Sequence, residues 1–267
     1  MTILDKIIAR KRLEVTECKQ KVSIASLEAS DYFTKTTVSL KQALFSDTNT
    51  GIIAEFKRKS PSKGIINDQV RVEDVTAGYV SAGAAGLSVL TDTEFFMGTQ
   101  ADLLVARKTN PSTPILRKDF MIDEYQLLEA KAWGADVILL IAANLSVLEV
   151  KSLSHFAQNL GLEVLLEVHN QEELDSHLCD TVDIVGVNNR NLKNFAEQNV
   201  NASLELADQI PSAFVKISES CISRPETIQL LRGVGYRGFL IGENFMKTSD
   251  PSHAIASFVA QLHQPAV

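Results

Sequence analysis

The chain has 267 residues, of which 45% are hydrophobic and 22% are charged. This composition excludes a disordered chain, a collagen-like repeat and a disulfide-stapled scaffold, and the length suits a single α/β barrel domain. The formal net charge of -7 provides no global positive field, so we expect neither a nucleic acid nor a membrane as a partner.

The cysteines, the histidines and the N-terminus favour a cytoplasmic protein. Cys18, Cys179 and Cys221 lie far apart without a C-x-x-C pair, which predicts neither a disulfide framework nor a zinc site. Histidines in metal-ligand spacing and G-x-G-x-x-G or Walker loops are absent, so we expect no metal and no nucleotide cofactor. The sequence also lacks a signal peptide's apolar core and the roughly 18 apolar residues of a membrane span.

The N-terminal 50 residues form a helical extension in this interpretation. They precede the first predicted strand and open with a segment of strongly helical character. The chain contains no linker rich in Pro, Gly or Ser. We therefore predict a single domain over residues 1–267, in which residues 1–50 lie over one mouth of a barrel.

Eight apolar, β-rich runs follow the extension at regular intervals. They are GIIAEFK from Gly51, GLSVLT from Gly86, PILRK from Pro114, DVILLI from Asp136, EVLLEV from Glu163, DIVGVNN from Asp183, FVKISES from Phe214 and GFLIGE from Gly238. Segments of helical spacing separate the runs. This alternation predicts parallel strands, and eight units favour a closed (β/α)8 TIM barrel over an open doubly wound sheet.

Polar side chains at strand ends would face the active-site mouth of such a barrel. In the first strand, Glu55 and Lys57 share one face, where the carboxylate can orient the lysine. The alternative is a solvated basic loop that comprises Lys57, Arg58, Lys59 and Lys63. Lys118 ends the third strand as a candidate proton donor or Schiff-base former. Glu167, with His169 just beyond it, is a candidate general base, although each residue alone would also suit a structural ion pair.

The later strands end in residues that suit a substrate with an anionic group. Asn188 and Arg190 share one parity at the sixth strand, Ser220 ends the seventh, and Gly242 follows the eighth. Loops after the last two strands are the usual phosphate site of this fold, although Gly242 alone would indicate only a tight turn. We therefore expect a small phosphorylated substrate. Four apolar residues near the mouth are either core or the wall of a pocket for an aromatic ring: Phe95, Phe96, Phe120 and Leu192.

Seven stretches between Gly51 and Met246 form a collinear set of motifs. They are IIAEFKRKSPSKG, SVLTDTEFFMGT, ILRKDFMID, EVLLEVHN, VGVNNRNL, ISES and GFLIGENFM. In these motifs, in their order and in its helical N-terminal extension, the chain resembles the indole-3-glycerol phosphate synthase family. Several long motifs in one order are far more specific than a single glycine pattern.

The resemblance implies a carbon-carbon lyase of tryptophan biosynthesis that needs no cofactor. Such enzymes close the pyrrole ring of 1-(2-carboxyphenylamino)-1-deoxyribulose 5-phosphate and lose carbon dioxide and water, giving indole-3-glycerol phosphate. By match of motif, Lys118 would be the general acid at the ribulose carbonyl and Glu167 the general base that assists dehydration. Lys57 would lie by the anthranilate carboxylate and share acid duty, while Glu55 would orient the lysines and bind a substrate hydroxyl.

The resemblance also implies how the remaining residues surround the substrate. Asn188 would position the ring-nitrogen side, and Ser220 would complete the pocket. The phosphate side would comprise Ser60, Arg190, Gly242 and Glu243, and the aromatic pocket would comprise Phe96, Phe120 and Leu192. Transient contact with other enzymes of the tryptophan pathway is the one protein partnership that the resemblance suggests.

One position departs from the family pattern. The family usually has glycine after the serine of the seventh strand, as in E-S-G-I, whereas here Cys221 follows Ser220. The extra Cβ and sulfur either crowd the backbone near the phosphate or pack behind the loop as a small hydrophobe. We predict the packed arrangement.

Two other functions stay open on the residues alone. Phosphoribosylanthranilate isomerase is another phosphosugar barrel of aromatic amino-acid metabolism, but it would need a cysteine and an aspartate where Glu55 and Glu167 lie. A catalytically silent barrel would only bind a phosphorylated metabolite or a partner enzyme. Binding alone does not require both Lys118 and Glu167 at one pocket.

Overall fold

The computed structural model describes residues 2–46, 49–190 and 199–262. The barrel strands are β1 Ile52–Phe56, β4 Gly86–Leu90, β5 Ile115–Lys118, β6 Val137–Ile141, β7 Glu163–Val168, β8 Ile184–Asn188, β9 Val215–Glu219 and β10 Gly238–Ile241. These strands are parallel and close in the order β1-β10-β9-β8-β7-β6-β5-β4. The closed barrel confirms the predicted (β/α)8 fold.

Continuous apolar strands form here because both of their faces are buried. In β6 every residue is buried. Val137, Leu139 and Ile141 belong to the cluster that fills the barrel interior, whereas Ile138 and Leu140 pack in the layer between the strands and the helices. Strand residues therefore alternate between inside and outside, and this alternation aims every second side chain of the strand ends into the mouth.

Helices alternate with the barrel strands and cover them. They are α4 Val72–Ser81, α5 Thr93–Phe96, α6 Gln100–Thr109, α7 Glu124–Ala132, α8 Val147–Asn159, α9 Gln171–His177, α10 Asn201–Leu206, α11 Pro225–Gly233, α12 Glu243–Met246 and α13 Pro251–Leu262, with a 3-10 turn at Ala142–Asn144. None of the helices in the described part of the chain is both long and apolar enough to cross a bilayer.

The segment after β1 is held to the barrel by specific contacts. It contains a short antiparallel ribbon in which β2 Lys59–Ser60 pairs with β3 Gly64–Ile65. Arg58 forms two hydrogen bonds with the Asp102 carboxylate, at 2.7 and 2.8 Å, and Lys59 donates to the Glu94 carbonyl. The alternative of a solvated basic loop is therefore wrong for Arg58, whose charge is paired and largely buried.

The N-terminal helices lie at both ends of the barrel. They are α1 Ile3–Lys21, α2 Ile24–Glu28 and α3 Leu40–Phe45. The first turns of α1 reach the mouth at the C-terminal ends of the strands. At the opposite end, Leu40 and Leu44 of α3 enter the interior cluster, and the backbone N–H groups of Leu40 and Lys41 donate to the Glu163 carboxylate at the start of β7. Residues 1–50 were predicted to lie over one mouth, whereas α3 lies at the opposite end of the barrel from the first turns of α1.

A buried lysine fastens α1 to the barrel. The Lys11 side chain is 1% exposed, and its ammonium lies 2.9 Å from Asp92 and 2.8 Å from Asp119, with Glu14 at 3.0 Å. Burial opposes the charged form of Lys11, but the surrounding carboxylates outweigh it and raise its pKa. Asp119 directly follows Lys118, so this ion cluster also fixes the end of β5.

We predict that Lys11→Ala destabilises the fold by about 3–5 kcal/mol. The buried Asp92 and Asp119 both lose the ammonium that lies between them, although Asp119 keeps its ion pair with Arg117 at 3.3 Å. The control is Lys19→Ala on the same helix, where the ion pair with Asp123 is 46% and 33% exposed. That variant should lose less than about 1 kcal/mol. Urea unfolding of both variants measures the difference, and equal losses would show that the buried cluster does not fasten α1.

Candidate active site

One lysine at the barrel mouth lies between two carboxylates. The Lys118 ammonium, at the end of β5, donates to Glu167 of β7 at 3.0 Å and to Glu219 of β9 at 2.7 Å. Burial alone would lower the pKa of Lys118, but the charges of Glu167 and Glu219 raise it above its ordinary value. The geometry therefore holds a charged ammonium in a largely buried site, aimed from the strand ends into the mouth.

Glu219 is a member of this cluster that was not among the predicted site residues. Its Oε1 atom is buried and has no hydrogen-bond partner among the described residues. Burial, reinforced by the charges of Glu167 and Glu55, raises the pKa of Glu219 to about 7 against the opposing effect of Lys118. The sequence could have identified Glu219 as a site residue, because it shares the parity of Val215 and Ile217, which point into the barrel.

Glu167 lies in the same cluster, but its pKa is shifted in the opposite direction from that of Glu219. Burial would raise its pKa, but the charges of Lys118 and His169 lower it below the ordinary value. The Asn188 amide donates to its Oε1 atom at 3.2 Å, and His169 Nε2 lies 3.6 Å from the same oxygen. The pKa values of the two carboxylates that share one ammonium are thus shifted in opposite directions, and such a difference is typical of acid and base roles.

The predicted pair of Glu55 and Lys57 lines the same cavity as Lys118 and Glu167. Lys57 donates to Glu55 Oε1, and Ser88 Oγ donates to Glu55 Oε2 at 3.4 Å. Two glycines leave the space that the carboxylates of Glu55 and Glu219 occupy. A Cβ at Gly242 would lie 2.5 Å from Glu55 Oε1, and a Cβ at Gly186 would lie 2.2 Å from Glu219 Oε1. Gly242 therefore has a steric role beyond a tight turn.

A cavity of about 400 Å³ opens above this cluster. One wall is aromatic, with the rings of Phe96 and Phe120 6.1 Å apart, and Ile3, Leu4 and Ile7 of α1 cover it. Ser60 lines this cavity, although the resemblance placed it on the phosphate side, and its buried Oγ has no hydrogen-bond partner among the described residues. Leu192, the third residue assigned to the aromatic pocket, lies outside the described residues.

A polar cradle of about 350 Å³ continues from the apolar cavity. Glu55, Lys57 and Ser220 line both spaces. The basic side chains of the cradle are Lys57, Lys63, Arg190 and Lys247, against the acids Glu55 and Glu243. An excess of positive charge in a chain of net charge -7 favours an anionic group at this end.

Arg190 and Glu243 are paired within the cradle. Arg190 donates to Ser62 Oγ at 2.6 Å and to Glu243 Oε2 at 3.4 Å, while Lys63 lies 3.4 Å from Glu243 Oε1. The Glu243 carboxylate therefore neutralises part of the cradle and would repel a phosphate. Any contribution of Glu243 to phosphate binding has to come from its backbone.

The loop after β9 has an unusual backbone. Ser220 and Cys221 both adopt left-handed conformations, with φ of 68° and 61°. The Asn189 side chain holds the loop by donating to the carbonyl of Glu219 and to Ser218 Oγ, both at 2.9 Å. Cys221 is half-buried and packs against the main hydrophobic core, as its predicted role as a small hydrophobe requires. A left-handed φ also accounts for glycine at this position in the family pattern.

Comparison with known proteins shows which protein family the chain belongs to. The model of the indole-3-glycerol phosphate synthase family matches residues 4–258. The chain belongs to this family. The indole-3-glycerol phosphate synthase of Bacteroides thetaiotaomicron is 49% identical over 260 residues, which are 97% of this chain and 98% of the relative. The enzyme of Bordetella pertussis is 41% identical over 261 residues, at 97% and 99% coverage.

Solved structures of other proteins have the same barrel fold as this chain. The 3-hexulose-6-phosphate synthase of Salmonella typhimurium superposes with a TM-score of 0.62 at 13% identity, over 80% of this chain and 100% of that chain. A mutant tryptophan synthase alpha-subunit of Pyrococcus furiosus gives a TM-score of 0.59 at 17% identity, over 79% of this chain and 97% of that chain. At these identities the likeness extends to the barrel fold alone.

We predict that Cys221→Gly raises KM a few-fold and leaves kcat within about two-fold, because it removes a packed side chain and no proton-transfer group. Glycine accepts the left-handed φ without strain. Cys221→Val is the contrasting variant, since a β-branched residue at positive φ costs roughly 1–3 kcal/mol of stability. Steady-state kinetics and urea unfolding test both. A collapse of kcat in Cys221→Gly would instead make the thiol a direct participant.

Proposed function

We propose that the chain closes the pyrrole ring of 1-(2-carboxyphenylamino)-1-deoxyribulose 5-phosphate and releases carbon dioxide, water and indole-3-glycerol phosphate. Membership in the indole-3-glycerol phosphate synthase family supports the reaction. The observation that carries the residue roles is the Lys118 ammonium between Glu167 and Glu219. This cluster lies where an apolar cavity joins a basic cradle.

The two ends of the site suit the two ends of this substrate. The aromatic ring would lie against Phe96 and Phe120, and the phosphate would lie in the cradle with Arg190 and Lys63. Lys57 would receive the ring carboxylate together with the Ser60 hydroxyl, which has no hydrogen-bond partner among the described residues. This placement brings the ribulose carbonyl to the middle of the site, beside Lys118.

The first chemical step is ring closure. The ring carbon that bears the carboxylate attacks the ribulose carbonyl carbon, and Lys118 donates a proton to the carbonyl oxygen, which becomes a hydroxyl group. The carboxylate then leaves as carbon dioxide, and the electron pair of the broken bond restores the aromatic ring. A preorganised ammonium stabilises the developing alkoxide without solvent reorganisation.

Dehydration completes the reaction. The new hydroxyl group leaves as water with a proton from the lysines, whose duty Lys57 and Lys118 share. Glu167 takes a proton from the neighbouring carbon attached to nitrogen, and the electrons of that C–H bond form the second double bond of the pyrrole ring. The lowered pKa of Glu167 keeps it in the carboxylate form that a base requires.

Turnover of the synthetic substrate, followed by indole fluorescence, tests this function. The purified chain should form indole-3-glycerol phosphate and one carbon dioxide per product. A protein that isomerises phosphoribosylanthranilate but does not form the indole would belong to the alternative isomerase class. Binding of the phosphorylated substrate without turnover would show a silent barrel.

We also propose the setting of this activity. Three unpaired cysteines suit a reducing cytoplasm, where the other enzymes of tryptophan biosynthesis would supply the substrate and receive the product. Transient contact with those enzymes is part of the proposal. Small-angle scattering of the chain mixed with such an enzyme would test that contact.

We predict that Lys118→Ala folds and loses roughly 10²-fold to 10⁴-fold in kcat, because a positioned proton donor is removed. The matched control is Lys151→Ala, which removes an exposed ammonium from α8. Its kcat should equal that of the parent in the same assay. A kcat for Lys118→Ala within a few-fold of the parent would show that the assigned acid role is wrong.

Glu167→Gln should reduce kcat over the same range and keep affinity for the product, because the amide preserves shape but does not accept the proton. Single-turnover kinetics separate chemistry from binding, and titration with indole-3-glycerol phosphate measures affinity. If product binding were lost while the single-turnover rate stayed normal, Glu167 would be a binding group and not the base.

A further inference from the structure

His169 lies between two carboxylates on a path that leads out of the active site. Its Nε2 atom lies 3.6 Å from Glu167 Oε1, and its Nδ1 atom lies 3.2 Å from Glu173 Oε2. The exposed fraction of the three side chains increases along this path, from 7% at Glu167 to 15% at His169 and 19% at Glu173. His169 also lines the apolar cavity of the site.

Glu173 is held in place by its own contacts at the start of α9. Its Oε2 atom accepts the backbone N–H of His169 at 2.8 Å, and its Oε1 atom accepts the Asn170 amide at 3.2 Å. The backbone N–H of Glu173 in turn donates to the Asn170 side chain at 2.9 Å. A fixed acceptor at Nδ1 keeps a proton on that nitrogen, so Nε2, facing Glu167, is the nitrogen that exchanges protons.

Three acids bias the imidazole towards its protonated form. Glu167 lies two residues earlier in β7, Glu173 faces the imidazole from α9, and Glu219 acts on it from β9. Burial lowers the pKa of His169, but the hydrogen bond with Glu173 and the charges of Glu167 and Glu219 outweigh it and raise that pKa. Lys118 contacts Glu167 on its other oxygen, Oε2, and so leaves Oε1 to His169.

The proposed reaction requires a supply of protons. Lysines donate two protons in each turnover, one to the carbonyl oxygen and one to the leaving hydroxyl group, whereas Glu167 takes one proton from carbon. Glu167 contacts Lys118 directly and returns that one proton to the amine. The ionised substrate therefore takes up one net proton per turnover, and this proton has to enter the buried cluster from solvent.

We propose that His169 is the entry point for this proton and acts through Glu167. The imidazolium gives its Nε2 proton to Glu167 Oε1, keeping the electron pair on nitrogen. The Glu167 carboxyl group then rotates so that this same proton faces Lys118, and its transfer to the neutral amine restores the Glu167 carboxylate and the ammonium. Solvent then reprotonates Nε2, while Nδ1–H stays bonded to Glu173. Catalytic hydrogen bonds are often long before substrate binds, as the 3.6 Å contact is here. The inference rests on the proposed function.

His169→Ala tests the relay by loss and by chemical rescue. We expect kcat to fall about 10-fold or more with KM within about two-fold, because binding contacts stay in place. Added imidazole should enter the cavity and restore at least part of kcat, in proportion to its protonated fraction. A merely structural role for His169 would give a loss that imidazole does not reverse, and that result would overturn the relay.

Glu173→Gln gives an independent test that leaves the histidine in place. The amide keeps an acceptor at Nδ1 but removes a negative charge, so the pKa of His169 should fall and the alkaline limb of the kcat profile should move to lower pH by roughly 1 unit. Glu172→Gln is the matched control, since it removes an exposed carboxylate from the same helical turn. Its profile should coincide with that of the parent.

The outcomes separate this inference from the proposed function. If the parent forms indole-3-glycerol phosphate and both His169→Ala and Glu173→Gln keep its kcat and pH profile, the relay is wrong and the function stands. If the parent gives no turnover, the function and the relay fall together. Loss with imidazole rescue in His169→Ala and a shifted profile in Glu173→Gln support the relay.

Discussion

The site depends on one constraint: the Lys118 ammonium has to stay charged at the barrel mouth, where its side chain is only 14% exposed. Isolated buried charges are costly, so Lys118 requires the two carboxylates that contact it. With Glu55 nearby, three ionised carboxylates would repel one another at this mouth. This repulsion is reduced because Glu219 holds its proton more tightly than Glu167 does. Acid and base roles thus follow from the same electrostatic arrangement that makes the buried lysine tolerable.

Much of the surrounding structure maintains this arrangement. Gly186 leaves room for the Glu219 carboxylate, because any side chain at that position would collide with it. Behind β5, the guanidinium of Arg117 bonds with Glu129 and lies 4.0 Å from the Trp133 ring centroid, while Lys11 pairs with Asp119. The helix that carries Lys11 also covers the apolar cavity, so one ion cluster links the N-terminal helix, the strand end and the catalytic lysine.

The sequence predicted those parts that follow from periodicity. Apolar runs buried on both faces located all eight strands, and the parity of their last residues selected Lys118 and Glu167. Glu219 was missed because the polar Ser220 beside it was taken as the strand end, although Ser220 already lies in a left-handed turn. The contact of α3 with Glu163 and the pairing of Arg58 with Asp102 join residues distant in the chain, and no local pattern encodes them.

Carbon-13 NMR of the glutamate side-chain carboxyl carbons tests the shared ammonium most directly. In the ligand-free protein, the account predicts one carboxyl carbon that titrates near neutral pH, against about 4.3 for an ordinary glutamate, and that is absent from the spectrum of Glu219→Gln. Lys118→Met should move this titration further upwards, because the cation that opposes it is lost. If every glutamate titrated below about pH 5 in the parent, the two carboxylates would not differ in protonation, and the account would be contradicted.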